Sequence, residues 1–344
     1  MENKLFVSSS PHITDKESIP KIMYGVTLSL VPAFIGAIYF FGIQSLWVVL
    51  VGVLSAVATE GVIQKLMKKP ITITDGSAIL TGVLLAFNVP AEVPLWIPAV
   101  GSMFAIAVGK IPFGGLGYNP MNPALLGRAF LLASWPTHMT IFKTAPTGGT
   151  LSGIDAITNA TPLNVYRQAK DAIANQATLP AENVQEAYNA MSQLSDSYWN
   201  LFTGKIGGCL GETSVLLLLI GAVYLIYKRY ISLKIPLSYI VTVALLTWIF
   251  GGTEGLFSGD PIFHVLSGGL MLGAFYMATD MVTSPVTYKG RIYFGIGCGI
   301  LTVVIRLVGG YPEGVSYSIL LMNLTVPLID RYTKPKIFGE VKQK

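Results

Sequence analysis

Apolar runs of close to twenty residues, separated by Gly, Pro and charged positions, fill most of the chain; "VTLSLVPAFIGAIYFFG" (26–42) and "TSVLLLLIGAVYLIY" (213–227) are typical. A helix needs about twenty such residues to cross the hydrocarbon of a bilayer, whereas a membrane-spanning strand reads as a shorter, alternating segment. The pattern therefore predicts an all-α polytopic membrane protein with about ten transmembrane helices. They are expected near 22–42, 45–64, 76–92, 94–110, 121–136, 213–227, 235–252, 263–282, 291–309 and 314–329. The polar opening through "SSSPHITDKESIPK" puts the first run too far in for a cleaved signal peptide, so it reads as a retained span. The third and fifth runs are short and flanked by "TDGS" and "GGLGYNPMNP", as expected of broken or re-entrant segments lining a cavity.

The longest polar stretch, 137–206, interrupts this series after five spans and contains two helix-compatible segments, "LNVYRQAKDAIANQ" and "AENVQEAYNAMSQL", the second opened by Pro180. It reads as a small folded loop. The expected organisation is a segment at 1–21, five spans over 22–136, the loop at 137–206, five more over 207–330 and a tail at 331–344.

Charge fixes the direction. Lys4, Lys16, Lys21, Lys65, Lys68, Lys69, Lys110, Lys228, Arg229, Lys234, Lys289, Arg291 and the basic residues after 330 fall on one side, while "NVPAEVP", "GGTEGLFSGDP" and "GGYPEG" on the other carry acid and no base. Positive charge stays inside. Both termini are expected in the cytoplasm and the loop outside the cell membrane. A pI near 9.0 follows from this bias, so no nucleic-acid partner is expected.

"DGSAILTGVLLAFNVP" (75–90) resembles "SGGLMLGAFYMATDMV" (267–282), and "GGLGYNPMNPALLG" (114–127) has a counterpart in "VGGYPEGVSYSILLMN" (308–323). An odd number of spans in each half forces the halves into opposite orientations, which predicts two inverted five-helix repeats with a site near their axis.

Composition limits the chemistry. Two cysteines, Cys209 and Cys298, cannot hold a four-thiolate cluster, and His12, His138 and His264 are far apart in sequence, so no metal site is expected and a redox centre held by this chain alone would be organic. Glu60, Asp75, Arg128, Glu212, His264, Asp280 and Arg306 lie in or at the rims of apolar runs. A charge there needs a partner or a wet cavity. Glu60, Asp75, Arg128 and Asp280 are candidates for an ion path, and His264 beside Phe263 reads as an interfacial residue. The glycines of "GGLGYNPMNP" lack the ending and spacing of a nucleotide loop; its prolines and asparagines more plausibly break a helix and expose backbone to a ligand.

Thr161, in "DAITNATPLN" (155–164), admits several readings. Asn159-Ala160-Thr161 matches a glycosylation sequon, and Thr before Pro162 is a helix start signal. A third comes from resemblance. "SSPH", "TDGSAILTGVLLAFNVP", "GGLGYNPMNPALLGRAF", "DAITNATPL", "GCLGETSVLLLLIGAVYL", "HVLSGGLMLGAFYMATDMVTSPVT" and "GGYPEGVSYSILLMN" together resemble the D-subunit family of the Rnf complex, the ion-pumping ferredoxin:NAD oxidoreductase of bacteria and archaea. That family is related to the B subunits of the sodium-pumping NADH:quinone reductase, which have a longer N-terminal region.

The resemblance implies a urea-transporter-like fold and an FMN joined through its phosphate to the last threonine of an [ST]-x-A-T sequence, here Thr158-Asn159-Ala160-Thr161 with Asn159 where glycine is frequent. It implies a flavin transferase for maturation, the A, B, C, E and G subunits as partners, and electron transfer coupled to movement of Na⁺ or H⁺. By analogy with the quinone reductase, it also implies a second, non-covalent flavin near the repeat axis, for which Gly76, Ser77, Asn119, Asn122, Gly268 and Gly269 are the candidate pocket. A cofactor-free solute or ion channel of the same fold is the competing expectation.

Overall fold

A computed structural model describes residues 17–144, 157–159, 161–176, 180–195, 198–212, 214–253, 255–310 and 313–335. The described chain is helical apart from one antiparallel pair of short strands. Before the loop run α1 (Ile19–Ser29), α2 (Val31–Phe41), α3 (Gln44–Leu66), α4 (Ser77–Phe87), α5 (Trp96–Ala107) and α6 (Pro123–Ser134). The loop contains α7 (Pro136–Met139), β1 (Phe142–Thr144), β2 (Ile157–Asn159), α8 (Pro162–Ala174), α9 (Ala181–Ser195) and α10 (Tyr198–Thr203). After it come α11 (Val215–Tyr227), α12 (Lys234–Phe250), α13 (Pro261–Leu266), α14 (Leu270–Leu272) with a π turn over Gly273–Met277, α15 (Tyr288–Leu307) and α16 (Val315–Tyr332).

Every expected span contains helix, although 76–92 and 263–282 are helical only in part. Four stretches, Ile19–Phe41, Gln44–Leu66, Trp96–Phe113 and Tyr288–Leu307, are long and apolar enough to cross a membrane unaided. Leu54 and Val223 are each about two-thirds exposed on helix faces, an arrangement that suits a lipid solvent and not water.

The short elements are broken where the sequence shows small or polar residues. Helix α4 has 11 residues, about 16 Å of rise and so half a bilayer core. It follows a left-handed turn at Gly76 (φ 77°) and ends at Asn88. The run 263–282 is likewise interrupted, between α13 and α14, at Ser267-Gly268-Gly269, with Gly268 at φ 68°. The first span also divides, at Leu30, because Pro32 lies in the first turn of α2.

Helix α3 packs along α4 and α5, and α12 along α15; α5 meets α6 as α15 meets α16. Between the halves, α6 touches α16, and α11 touches α1 and α2. The segment after the loop pairs with the end of α4, through Leu210 N–H to Val89 O at 3.1 Å and Gly211 N–H to Phe87 O at 2.8 Å. Backbone freed from helix is thus satisfied by other backbone, as a low-dielectric surrounding requires.

The loop helices form where the sequence placed them, but the strand pair Phe142–Thr144 with Ile157–Asn159 was not foreseen. Nor does the loop stand free. Leu163, Tyr166, Leu201, Ile206 and Phe263 form one buried cluster, so α8 and α10 are bound to α13.

Candidate functional site

Two networks of buried charge lie at opposite ends of the broken helices. In the first, Lys110 Nζ contacts Glu60 Oε1 and Oε2 at 2.8 and 2.7 Å and donates to Ser77 Oγ at 2.6 Å. Ser77 in turn donates to Asp75 Oδ1 from its backbone and hydroxyl, at 2.8 and 2.5 Å, and Gln64 Nε2 donates to Glu60 Oε1 at 3.1 Å. Of the expected ion-path residues, Glu60 and Asp75 therefore share one network. Lys110, expected at the cytoplasmic rim, is 1% exposed. It turns inward because Glu60 on α3 would otherwise be a buried, unpaired carboxylate.

The second network surrounds Arg128. Asn122 caps α6, its Oδ1 accepting from the N–H groups of Ala124 and Leu125 at 3.0 and 3.3 Å. One and a half turns on, the Arg128 guanidinium pairs with Glu313, bonds Ser316 Oγ, reaches Asn88 Oδ1 at 3.3 Å and lies 3.5 Å from Glu212 Oε1. Its Nη2 is 3.8 Å from Cys209 Sγ. Cys209, Glu212 and Glu313 converge closely enough to suggest a metal site, but the guanidinium is the cation among them.

Arg306 closes the break in the run 263–282. It donates to His264 O at 2.5 Å and Ser267 O at 3.1 Å, two carbonyls left over at the end of α13, and its Nε reaches Glu313 O at 3.0 Å. His264 is not interfacial. It is 1% exposed beneath Tyr166, and neither ring nitrogen has a hydrogen-bond partner among the described residues. The loop covers it: Tyr166 hydroxyl donates to Gly251 O. Burial pushes the Tyr166 phenol up to about 12, with the charge of Asp260 adding to the effect.

Thr161 meets this second network. It is the N-cap of α8, with Oγ1 accepting from Asn164 N–H at 3.3 Å, so the helix-start reading holds. The hydroxyl is not open to solvent: Thr161 is 6% exposed and lines a small cavity with Gly208, Glu212, Gly268 and Glu313. The cause is the packing of α8, whose Leu163 and Tyr166 are drawn into the apolar cluster with Phe263. A larger cavity, about 280 Å³, shares Glu313 with the first and is lined by Arg128, Met139, Phe142, Asn164, Ser316 and Tyr317 among others. The side chain of Thr158, and Ala160 altogether, lie outside the described residues.

The candidates for a second pocket converge in part. Ser77, Asn119 and Asn122 line one cavity, together with Lys110, Tyr230 and the ion-path candidate Asp280. Gly76 sits at the entry to α4, Gly268 faces the Thr161 cavity, and Gly269 lies against Glu212, where a Cβ would fall 2.8 Å from Oε1. Sequence reasoning also missed Glu313, Asn88 and Ser316. A buried arginine demands an acid, and "GGYPEG" offers one in the counterpart of the segment preceding α6.

Broken helices, buried ion pairs and an apolar exterior mark the chain as an integral membrane protein. The model of the NQR2, RnfD, RnfE family matches residues 6–339, and the chain belongs to that family. The D subunit of the Na⁺-translocating ferredoxin:NAD⁺ oxidoreductase complex of Acetobacterium woodii is 51% identical over 345 residues, covering 100% of this chain and 98% of that protein. The D subunit of the proton-translocating ferredoxin:NAD⁺ oxidoreductase complex of Clostridium ljungdahlii is 49% identical over 343 residues, 98% of this chain and 97% of that one. The D subunit of the ion-translocating oxidoreductase complex of Stutzerimonas stutzeri is 38% identical, covering 94% and 93%.

Proposed function

We propose that the chain is the D-type membrane subunit of an ion-translocating ferredoxin:NAD oxidoreductase and carries FMN esterified through its phosphate to Thr161 Oγ1. The observation that carries the reading is the placement of Thr161: the last residue of the Thr-Asn-Ala-Thr sequence caps a helix and faces the cavity that Glu313 joins to the Arg128 cavity.

The donor set fits such a group. Asn164 N–H and the N-terminal end of α8 suit a phosphate, and Pro162 in the first turn leaves fewer N–H groups to satisfy. The cavity of about 280 Å³ approaches the size of small-ligand sites and offers the aromatic faces of Phe142 and Tyr317 beside Arg128, whose buried Nε has no hydrogen-bond partner among the described residues. Because the Thr161 hydroxyl is buried, attachment requires α8 and its neighbours to part from α13 before the transferase acts. A flavin bound there supplies one- and two-electron transfer.

In this reading all ten spans cross the cell membrane as two inverted five-helix repeats, supported by the matching contacts of α3 with α5 and α12 with α15 and by the two broken segments. Both termini are cytoplasmic and the loop is extracytoplasmic, following the charge bias. Glu60, Asp75, Arg128 and Asp280 serve the ion path, and the cavity at Ser77, Asn119, Asn122 and Asp280 takes the second flavin. The other Rnf subunits are the partners. The coupling ion is Na⁺ or H⁺: relatives of nearly equal identity are named for each.

Mass spectrometry of the Thr161 peptide from the native host tests the tether. An FMN adduct is expected; an unmodified peptide from active complex overturns the assignment.

A further inference from the structure

Glu212 is the least satisfied charged group in the second network. It is 3% exposed, its Oε2 accepts a long bond from Cys209 N–H at 3.4 Å, its carboxyl lies against the Glu313 carboxyl and the Cys209 thiol, and its Oε1 has no hydrogen-bond partner among the described residues. Arg128, the nearest cation, stands 3.5 Å away and is turned toward Glu313. Both carboxyl groups border the small cavity that also holds Thr161.

Among the described residues, the charged and titratable groups facing Glu212 can be counted. Helix α6 supplies Arg128, the segment before α16 supplies Glu313, α15 supplies Arg306 within electrostatic reach of both acids, and the segment of Glu212 itself supplies the Cys209 thiol. From the loop, α8 presents uncharged Thr161 and Leu163 to the same space. Two arginines balance two glutamates, so one further negative charge in the cavity exceeds the cations present. Unbalanced charge in a buried site is costly, and the least expensive remedy is to protonate a carboxylate. Glu313 is held by direct hydrogen bonding to Arg128, whereas Glu212 is not.

We propose that Glu212 is the proton-binding carboxyl of this site, and that a negative charge arriving beside Thr161 draws a proton onto it. The charge in the mature protein, the phosphodiester on Thr161, rests on the reading given above; the proton site itself does not. With such a group in place, Glu212 is the residue through which added charge in the cavity becomes proton uptake.

The test uses the full chain in nanodiscs, produced without a flavin transferase and with glutamate ¹³C-labelled at its side-chain carboxyl. Infrared spectra across a pH titration report protonated glutamate alone. The component of this band that persists to the highest pH in unsubstituted protein is expected to be lost in Glu212→Gln but not in Glu313→Gln; its survival in Glu212→Gln overturns the proposal. Thr161→Asp adds one charge while retaining a capping side chain, and Thr161→Asn is its neutral control. The band's midpoint is expected to lie about one pH unit or more higher in the Asp variant than in the Asn variant, a tenfold rise in proton affinity. Equal midpoints overturn the coupling. Failure to find FMN on Thr161 in the native complex leaves these spectra unchanged and counts against the cofactor alone.

Discussion

Lys110 Nζ lies 2.8 and 2.7 Å from the two carboxylate oxygens of Glu60, and both side chains are within 2% of complete burial. Removing one partner leaves the other charged in a low-dielectric interior, while removing both leaves neither. Lys110→Met and Glu60→Gln should each destabilise the protein by about 3–5 kcal/mol, and the double variant should recover most of the loss. Thermal unfolding in detergent checks this. Additive losses would show that the pair is not the stabilising unit.

Thr161→Val should abolish flavin incorporation and ferredoxin-dependent NAD reduction while the protein still folds. Only the cap is lost, at about 1 kcal/mol. Thr161→Ser keeps a capping hydroxyl and should remain folded to the same extent as the unsubstituted chain. Flavin fluorescence in a denaturing gel, read beside a melting curve, separates the two effects. Normal activity in Thr161→Val would refute the tether.

The span positions and the two helices of the loop were legible because apolar period and Pro180 act locally. What escaped depended on partners remote in sequence. Lys110 looks like a rim cation until Glu60, fifty residues earlier, is placed beside it. His264 looks interfacial until Tyr166 covers it, and nothing near Thr161 in the chain shows that Leu163 draws α8 onto Gly268 and Phe263 and buries its hydroxyl. Arg128 could be recognised as needing an acid, but the choice of Glu313 over the other acids at rims required the contact of α6 with α16.

Docking of the loop should depend on pH through Tyr166. Its phenol has an ordinary value of 10.0 and rises to about 12 in the fold, because burial disfavours the phenolate. A raised value means that the folded state holds the proton more tightly, so this contribution is complete below pH 10 and is lost as pH rises toward about 12. Hydrogen exchange of α8 should therefore accelerate over that window in the unsubstituted protein. Tyr166→Phe should weaken docking at neutral pH, through loss of the bond to Gly251 O, and should remove the Tyr166 part of the alkaline step. The difference between the two proteins excludes Lys170, whose ammonium is also disfavoured by burial but is present in both.

Gly82 should be among the least replaceable residues although it touches no charged group. A Cβ there would fall 2.6 Å from Val53 Cα and 2.8 Å from Gly52 O, both backbone atoms that cannot turn aside. The close approach lets α4 lie against α3, and α4 ends at Asn88, whose Oδ1 accepts from Arg128 at 3.3 Å. Gly82→Ala should cost about 1–3 kcal/mol or more as the helices separate. It should also lower flavin retention by displacing Asn88 and, through it, Arg128. Leu54, beside Val53 on α3 but about two-thirds exposed, supplies the control. Leu54→Ala should leave both melting and flavin content unchanged; equal losses at the two positions would show that helix approach at Gly82 does not position the site.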